Sequence, residues 1–216
     1  MSVNSVSSSF QYELHLEITS KCTLKCPLCP RTEVPGTYKV TDLSLELIEK
    51  IVSTSYEFDN VALCGNHGDP IYHSNFFQVI DLLLKLPGAP RIQINTNGSY
   101  KRPDWWRQLG EKLRSKDRVV FGLDGLKDTC KNYRVNCDWD SAWNGLVTLK
   151  KHSKCKLRWQ WILFKYNEHQ LAEAKQLCVE HGIDDFSIVK SSRFLEDINE
   201  EPTISLEEAR RRFVGA

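Results

Sequence analysis

From residue 12 almost to the end of this 216-residue chain, short β-rich runs alternate with stretches of helical periodicity. No other feature constrains the fold as tightly. Strands separated by helices are joined by crossovers and run parallel, because a hairpin leaves no room for the intervening helix. Six strands are expected, at residues 12–18, 60–64, 91–95, 119–123, 157–164 and 186–190. Ser44 can cap a helix whose stripe is Leu47, Ile48, Ile51 and Val52, and Ser74 another carrying Phe77, Ile80, Leu83 and Leu84. Pro103 suits the first turn of a helix with Trp106, Leu109 and Leu113, and Asp140 precedes one with Trp143, Leu146 and Leu149. Gly182 should end a helix over 168–181, and Ser205 and Glu208 have capping-box spacing for a last helix. The class is α/β, as an open doubly wound sheet or as a barrel, and periodicity alone does not choose between them.

The length suits one core domain, expected at 12–216, behind a polar, serine-rich tail at 1–11 that should be disordered. With 29 basic and 28 acidic residues interspersed, the chain has no basic stripe for a nucleic-acid backbone, although nucleic acid stays open as a substrate. No apolar stretch approaches the ~20 residues that span a bilayer, and the first residues lack the apolar core of a signal peptide. A cytoplasmic protein without a membrane partner is expected. Of the eight cysteines, Cys64, Cys130, Cys137, Cys155 and Cys178 are scattered singly, which fits a reducing compartment better than a disulfide framework. The six tryptophans are expected in the core.

The other three cysteines stand in the run Lys21-Cys22-Thr23-Leu24-Lys25-Cys26-Pro27-Leu28-Cys29-Pro30-Arg31, just after the first strand. Pro27 and Pro30 push Cys26 and Cys29 out of the helical region and remove donors, so the segment should wrap as an irregular loop on which thiols can converge. Three ligands are too few for a closed zinc site or a fully thiolate-held iron-sulfur cluster, which leaves one coordination position for something else. Lys21, Lys25 and Arg31 should favour thiolate over thiol.

This run resembles the cluster-binding motif of the radical S-adenosylmethionine (radical SAM) enzymes, in a form similar to members with a SPASM-type core. The resemblance implies a partial (βα)6 TIM-like barrel with its site at the strand C-terminal ends. It also implies that Cys22, Cys26 and Cys29 hold a 4Fe-4S cluster whose fourth iron is chelated by S-adenosylmethionine. Leu28 departs from the family, where an aromatic residue is usual, and keeps only an apolar contact to adenine. The cysteine-rich tail that carries auxiliary clusters in SPASM enzymes has no counterpart here, so no auxiliary cluster is expected.

If the resemblance holds, unusual residues should follow the strands, and at most strands they do. Gly68-Asp69-Pro70 after the second is similar to the family's Gly-Glu-Pro segment, where backbone and carboxyl groups receive the methionine amine. Asn95-Thr96-Asn97-Gly98 after the third looks like the Thr-Asn-Gly segment that lines the cofactor and substrate cavity. Gly122-Leu123-Asp124-Gly125 after the fourth is similar to Ser-Leu-Asp-Gly, with Gly122 in place of the serine that meets the ribose, so that contact shifts to Asp124 or Asn95. Arg134 lies where the subgroup places an arginine that grips the cofactor carboxylate. Tyr166, Asn167 and residues 190–193 are further cavity candidates, and His67 and His73 are possible proton donors that more often pack or cap.

The implied reaction is reductive cleavage of S-adenosylmethionine to a 5'-deoxyadenosyl radical that abstracts hydrogen from a peptide or small-molecule substrate. A low-potential electron donor of flavodoxin or ferredoxin type is then required. No acid-base dyad or activated serine is expected, so no catalytic side chain is assigned. The alternative is a zinc- or iron-sulfur-binding redox or interaction module, closed by a fourth ligand such as His67 and unable to cleave the cofactor. An ordinary S-adenosylmethionine methyltransferase would need a glycine-rich loop where the cysteines stand.

Overall fold

A computed structural model of the chain describes residues 12–37, 39–53, 57–191 and 201–214. The tail at 1–11 lies outside the described residues, as do Ser192 and Arg193. In chain order the strands are β1 (Glu13–Leu16), β2 (Asn60–Leu63), β3 (Arg91–Thr96), β4 (Arg118–Gly122), β5 (Lys156–Ile162) and β6 (Asp185–Val189). The helices are α1 (Pro30–Glu33), α2 (Leu45–Val52), α3 (Phe76–Leu84), α4 (Pro103–Lys112), α5 (Trp139–His152), α6 (Leu171–Glu180) and α7 (Leu206–Phe213).

All strand pairings are parallel and the sheet order is β1-β2-β3-β4-β5-β6. That order decides between the two architectures. A doubly wound sheet reverses direction at a switch point, which puts helices on both faces. A strictly sequential order of right-handed crossovers keeps the helices on one face and curls the sheet into a partial barrel. The helix-side positions Ile92, Ile94, Val119, Phe121, Leu157, Trp159 and Trp161 are all fully buried. Trp106 joins this core, and Gly145 on α5 makes room for it: a Cβ there would lie 2.3 Å from Trp106 Nε1.

Local signals account for most helix ends. The Ser44 hydroxyl accepts from Leu47 N–H at 3.1 Å, Ser205 accepts from Glu208 N–H at 3.1 Å, and Gly182 (φ 64°) ends the chain's turn after α6. Three expectations need correction. Ser74 does not cap α3; its hydroxyl accepts from Lys21 Nζ at 2.8 Å and its N–H donates to Asp42, so the helix starts after Asn75. Asp140 does not precede α5 but lies inside it; the helix starts at Trp139, and Asp138 caps it by accepting from Ser141 N–H at 3.1 Å. The helix expected over 168–181 is divided into a 3-10 turn, Glu168–Gln170, and α6. Among the described residues no helix is long and apolar enough to cross a membrane.

Candidate cofactor site at the strand C-terminal ends

The site begins where β1 runs out. Residues 21–29 form no helix or strand, and Cys29, held extended before Pro30 (φ −87°, ψ 130°), leads directly into α1. Backbone hydrogen bonds tie this loop to its neighbours: Asp69 N–H donates to Lys21 C=O at 2.8 Å, and Lys25 N–H to Val135 C=O at 3.0 Å. Arg31 Nη2 donates to Cys22 C=O at 3.3 Å. The cysteine loop is thereby fastened to the Gly-Asp-Pro turn on one side and to the Arg134 segment on the other.

Gly68 is needed for that fastening and not for close approach of a ligand. A Cβ on it would lie 2.0 Å from the Thr19 carbonyl oxygen. Asp69 is 3% exposed and organises the next loop: Oδ1 accepts from Ile71 N–H at 3.2 Å, and Oδ2 accepts from Asn97 N–H at 2.7 Å and Thr96 Oγ1 at 3.0 Å. Asn97 Nδ2 donates to the same oxygen and reaches Cys22 Sγ at 3.7 Å. Burial raises the Asp69 pKa to about 6, against the opposing pull of these donors.

On the other wall, Asp124 is fully buried, with Oδ1 accepting from Ile162 N–H at 2.7 Å and Oδ2 from Arg134 Nε at 2.6 Å. Burial raises the Asp124 pKa, and the Arg134 guanidinium opposes that rise. The same guanidinium explains the glycine at 122. A Cβ there would stand 2.7 Å from Arg134 Nη2, so the arginine occupies the space a serine would take.

These loops enclose a cavity of about 500 Å³. Cys22, Cys26, Cys29, Gly68, Asp69, Asn95, Thr96, Asn97 and Arg134 line it, whereas Pro70 and Asp124 stand behind the lining. Lys190 and Ser191 line it as well. Other candidates fall elsewhere. Tyr166 Oη and Asn167 Nδ2 donate to Asp124 C=O at 3.2 and 3.3 Å, so they brace the wall from behind. His73 is bound to Leu43 C=O at 2.8 Å, and neither it nor His67 lines the cavity. Leu28 is not among the lining residues; it packs with Phe164 and with Tyr133, which does line the cavity, in a small apolar cluster against Cys26.

The thiols are electrostatically different from what the neighbouring cations suggest. Burial pushes Cys22 up to about 11, reinforced by the Asp69 carboxylate, and raises Cys26 despite Arg134. Lys21 is drawn off to Asp42 Oδ2 at 2.6 Å, so it does little for the sulfurs. Metal binding must therefore displace protons from these cysteines.

Among the described residues no three His, Cys, Asp or Glu side chains are gathered as a ready-made site for a metal ion. A zinc site needs its ligands about 2.3 Å from one ion. Cluster thiolates each bind a different iron and stand further apart. Three half-buried thiols around one cavity suit the second arrangement. Cys64 also borders the cavity, but its thiol donates to Ala62 C=O at 3.4 Å on its own strand.

Residues that motif reading missed are His15, Gln93 and Gln160, which line the cavity from the middle of strands. Their signal was available: polar side chains at alternate positions in a parallel sheet, whose strands are ordinarily apolar on both faces. The vicinity of Cys130 and Cys137, both fully buried, has no sequence signal.

Comparison with known proteins agrees with this geometry. A GTP 3',8-cyclase of Alkaliphilus metalliredigens is 26% identical over 180 residues, covering 79% of this chain and 53% of that protein. Another, of Syntrophomonas wolfei, is 28% identical over 116 residues, 52% of this chain and 34% of the relative. The chain thus spans about half the length, or less, of these curated relatives. The crystal structure of Streptococcus suis SuiB bound to S-adenosylmethionine superposes with a TM-score of 0.73 over 94% of this chain and 46% of SuiB, at 19% identity, which shows the shared fold. The sequence model described as the Radical SAM superfamily matches residues 16–189, from the first strand to the last, and the chain belongs to that superfamily.

Proposed function

We propose that this chain is the core of a radical SAM enzyme, with a 4Fe-4S cluster and S-adenosylmethionine as cofactors. One observation carries the reading: the three thiols of the cysteine loop face the same cavity as the Gly-Asp-Pro and Thr-Asn-Gly loops, at the mouth of a six-stranded parallel barrel. When bound, this cofactor pair supplies one-electron reductive cleavage of the carbon-sulfur bond, giving a 5'-deoxyadenosyl radical that takes hydrogen from a C–H bond of the substrate.

The residues have separable roles in this proposal. Cys22, Cys26 and Cys29 would hold the cluster. The Gly68-Asp69-Pro70 turn receives the methionine amine through its backbone, because the Asp69 carboxylate is already engaged by Ile71, Thr96 and Asn97. Asp69 is then a positioning residue for the Thr96-Asn97 loop. Asn95, Thr96 and Asn97 line the cofactor and substrate space, and Arg134, oriented by Asp124, directs its charge to the cofactor carboxylate. The half-enclosed walls limit water around the reacting atoms.

Residues 12–216 make up one core domain in this reading, with the tail at 1–11 outside it. The enzyme works in the cytoplasm, takes electrons from a flavodoxin or ferredoxin, and acts on a peptide or a small molecule. One structural relative binds a precursor peptide and several sequence relatives are GTP 3',8-cyclases, so both substrate types occur among similar proteins.

The test is anaerobic reconstitution with iron and sulfide, then incubation with S-adenosylmethionine and dithionite. Wild type should form 5'-deoxyadenosine, and Cys22→Ala, Cys26→Ala and Cys29→Ala should each lose the iron-sulfur absorption and the product. Cys64→Ala should keep both. Stoichiometric zinc with no iron-dependent absorption would overturn the proposal in favour of a closed metal module.

A further inference from the structure

The concave face of the sheet is charged where a parallel sheet is usually apolar. On three consecutive strands it carries Arg91 (β3), Arg118 (β4) and Arg158 (β5). The register places Gln93 beside Arg118 and Val120 beside Arg158, so the arginines climb diagonally across the sheet toward the cavity. Their strand neighbours Ile92, Val119, Leu157 and Trp159 are fully buried under the helices, which puts the arginines on the opposite face. Gln93, Val120 and Gln160, on that same face, line the cavity, so the arginines continue its floor toward the strand N-termini.

The charges are incompletely balanced. Arg91 Nε donates to Asn60 Oδ1 at 3.0 Å, and Arg158 pairs with Asp185. Glu13, near Arg91, is bound to His15. The Arg118 side chain, half-buried between the other two, makes no hydrogen bond or ion pair among the described residues. Burial lowers its pKa, the Arg158 and Arg91 guanidinia lower it further, and Asp185 opposes them. Holding three guanidinia together, with the central one unmatched, is unfavourable until an anion joins them.

We infer that Arg91, Arg118 and Arg158 form a binding floor for the phosphate group or groups of a small-molecule substrate, whose remainder extends up the concave face to the cavity. The inference rests on the reading of that cavity as an enzyme site and adds a substrate class to it. Each arginine is offset from the next by one strand and two residues, about 8 Å between Cα atoms, so the three forks are spaced to follow a short polyphosphate along the diagonal, and the middle one with a neighbour can hold a single phosphate. A single carboxylate has two oxygens and is satisfied by one fork. Gln93 and Gln160 offer neutral donors and acceptors for the rest of the molecule.

Calorimetric titration of inorganic tripolyphosphate into the full chain at roughly 50 mM salt tests this directly. Arg118→Gln is the informative variant, because Arg118 supports no internal bond and its loss should leave thermal unfolding unchanged. Lys151→Gln, on the exposed face of α5, makes the same change in net charge. One-to-one binding is expected, weakened about tenfold or more by Arg118→Gln and unaltered by Lys151→Gln. Equal affinity in both variants, or no saturable binding, overturns the floor. Hexaglutamate binding that depends on Arg118 where tripolyphosphate binding does not overturns the phosphate assignment in favour of an acidic peptide. Wild-type 5'-deoxyadenosine formation is measured in parallel. Its failure with tripolyphosphate binding intact sinks the enzyme reading, whereas the reverse pattern sinks only the floor.

Discussion

Replacing Arg134 by methionine should unfold the barrel more easily by an amount set by what it leaves behind. Asp124 is fully buried, and its Oδ2 would lose the 2.6 Å bond from Arg134 Nε. Removing one partner of a buried ion pair costs about 3–5 kcal/mol, because the other charge is stranded. Here Oδ1 keeps the Ile162 N–H at 2.7 Å, and the cavity side is open to water, so the low end, about 3 kcal/mol, is expected. For a chain of this length that is a fall in Tm of roughly 6–12 °C. Arg134→Met combined with Asp124→Asn should recover at least about 1.5 kcal/mol of the summed single losses. The pH dependence has a definite sign. Asp124 is a carboxyl whose folded pKa is raised by burial, and losing Arg134 raises it further. Such a group adds no penalty below its unfolded pKa of about 3.9, and its penalty grows as the pH rises from there toward the folded value. The deficit of Arg134→Met should therefore be small near pH 4 and grow as the pH rises toward neutrality. Urea unfolding followed by tryptophan fluorescence reports all three quantities. A neutral-pH loss under about 1 kcal/mol, additive singles, or a deficit independent of pH would refute the reasoning.

Gly68→Ala should cost more than about 2 kcal/mol and lower the iron bound per chain after reconstitution, since its Cβ meets the Thr19 carbonyl at 2.0 Å and backbone cannot yield as a side chain can. Gly122→Ser should destabilise by about 1–3 kcal/mol in urea, because Arg134 must leave its place against the backbone. The Asp42 carboxyl, pushed up by burial but pulled down further by hydrogen bonds from Lys21, Thr19 and Ser74, has a net depressed pKa. Its stabilisation is present above the unfolded pKa of about 3.9 and is lost as the pH falls through the folded value, so Asp42→Asn should lose about 1 kcal/mol at pH 7 and approach wild type in acid. Urea midpoints at the two pH values check this.

The strand count, the parallel class and the cysteine loop were legible because each rests on local chemistry: alternation, helical periodicity, and prolines that forbid a helix through the thiols. The same locality misled at Ser74 and Asp140. Ser74 has the right side chain for a cap but is taken by Lys21 and Asp42, and the helix expected after Asp140 starts earlier, at Trp139, because Asp138 caps it. Leu28 was placed by its position in the motif alone, and its packing against Tyr133 and Phe164, beside Cys26, is a tertiary outcome that no local stretch reports. Asp69 has the residue type of an amine acceptor, yet its oxygens are taken by a loop that arrives almost thirty residues later in the chain, and no motif reports that.

The sequence by itself determined the class of fold and the three sulfurs, since neighbours along the chain are enough to set a strand, a crossover and a proline-bounded loop. Tertiary structure alone decided which way the sheet curls, which carboxylates are occupied, and that Arg134 fills the room vacated at Gly122. It also brought Arg91, Arg118 and Arg158 from three separate strands onto one face. Those outcomes depend on register and on competition among distant groups for the same hydrogen bonds and space, and neither is written in any local stretch of residues.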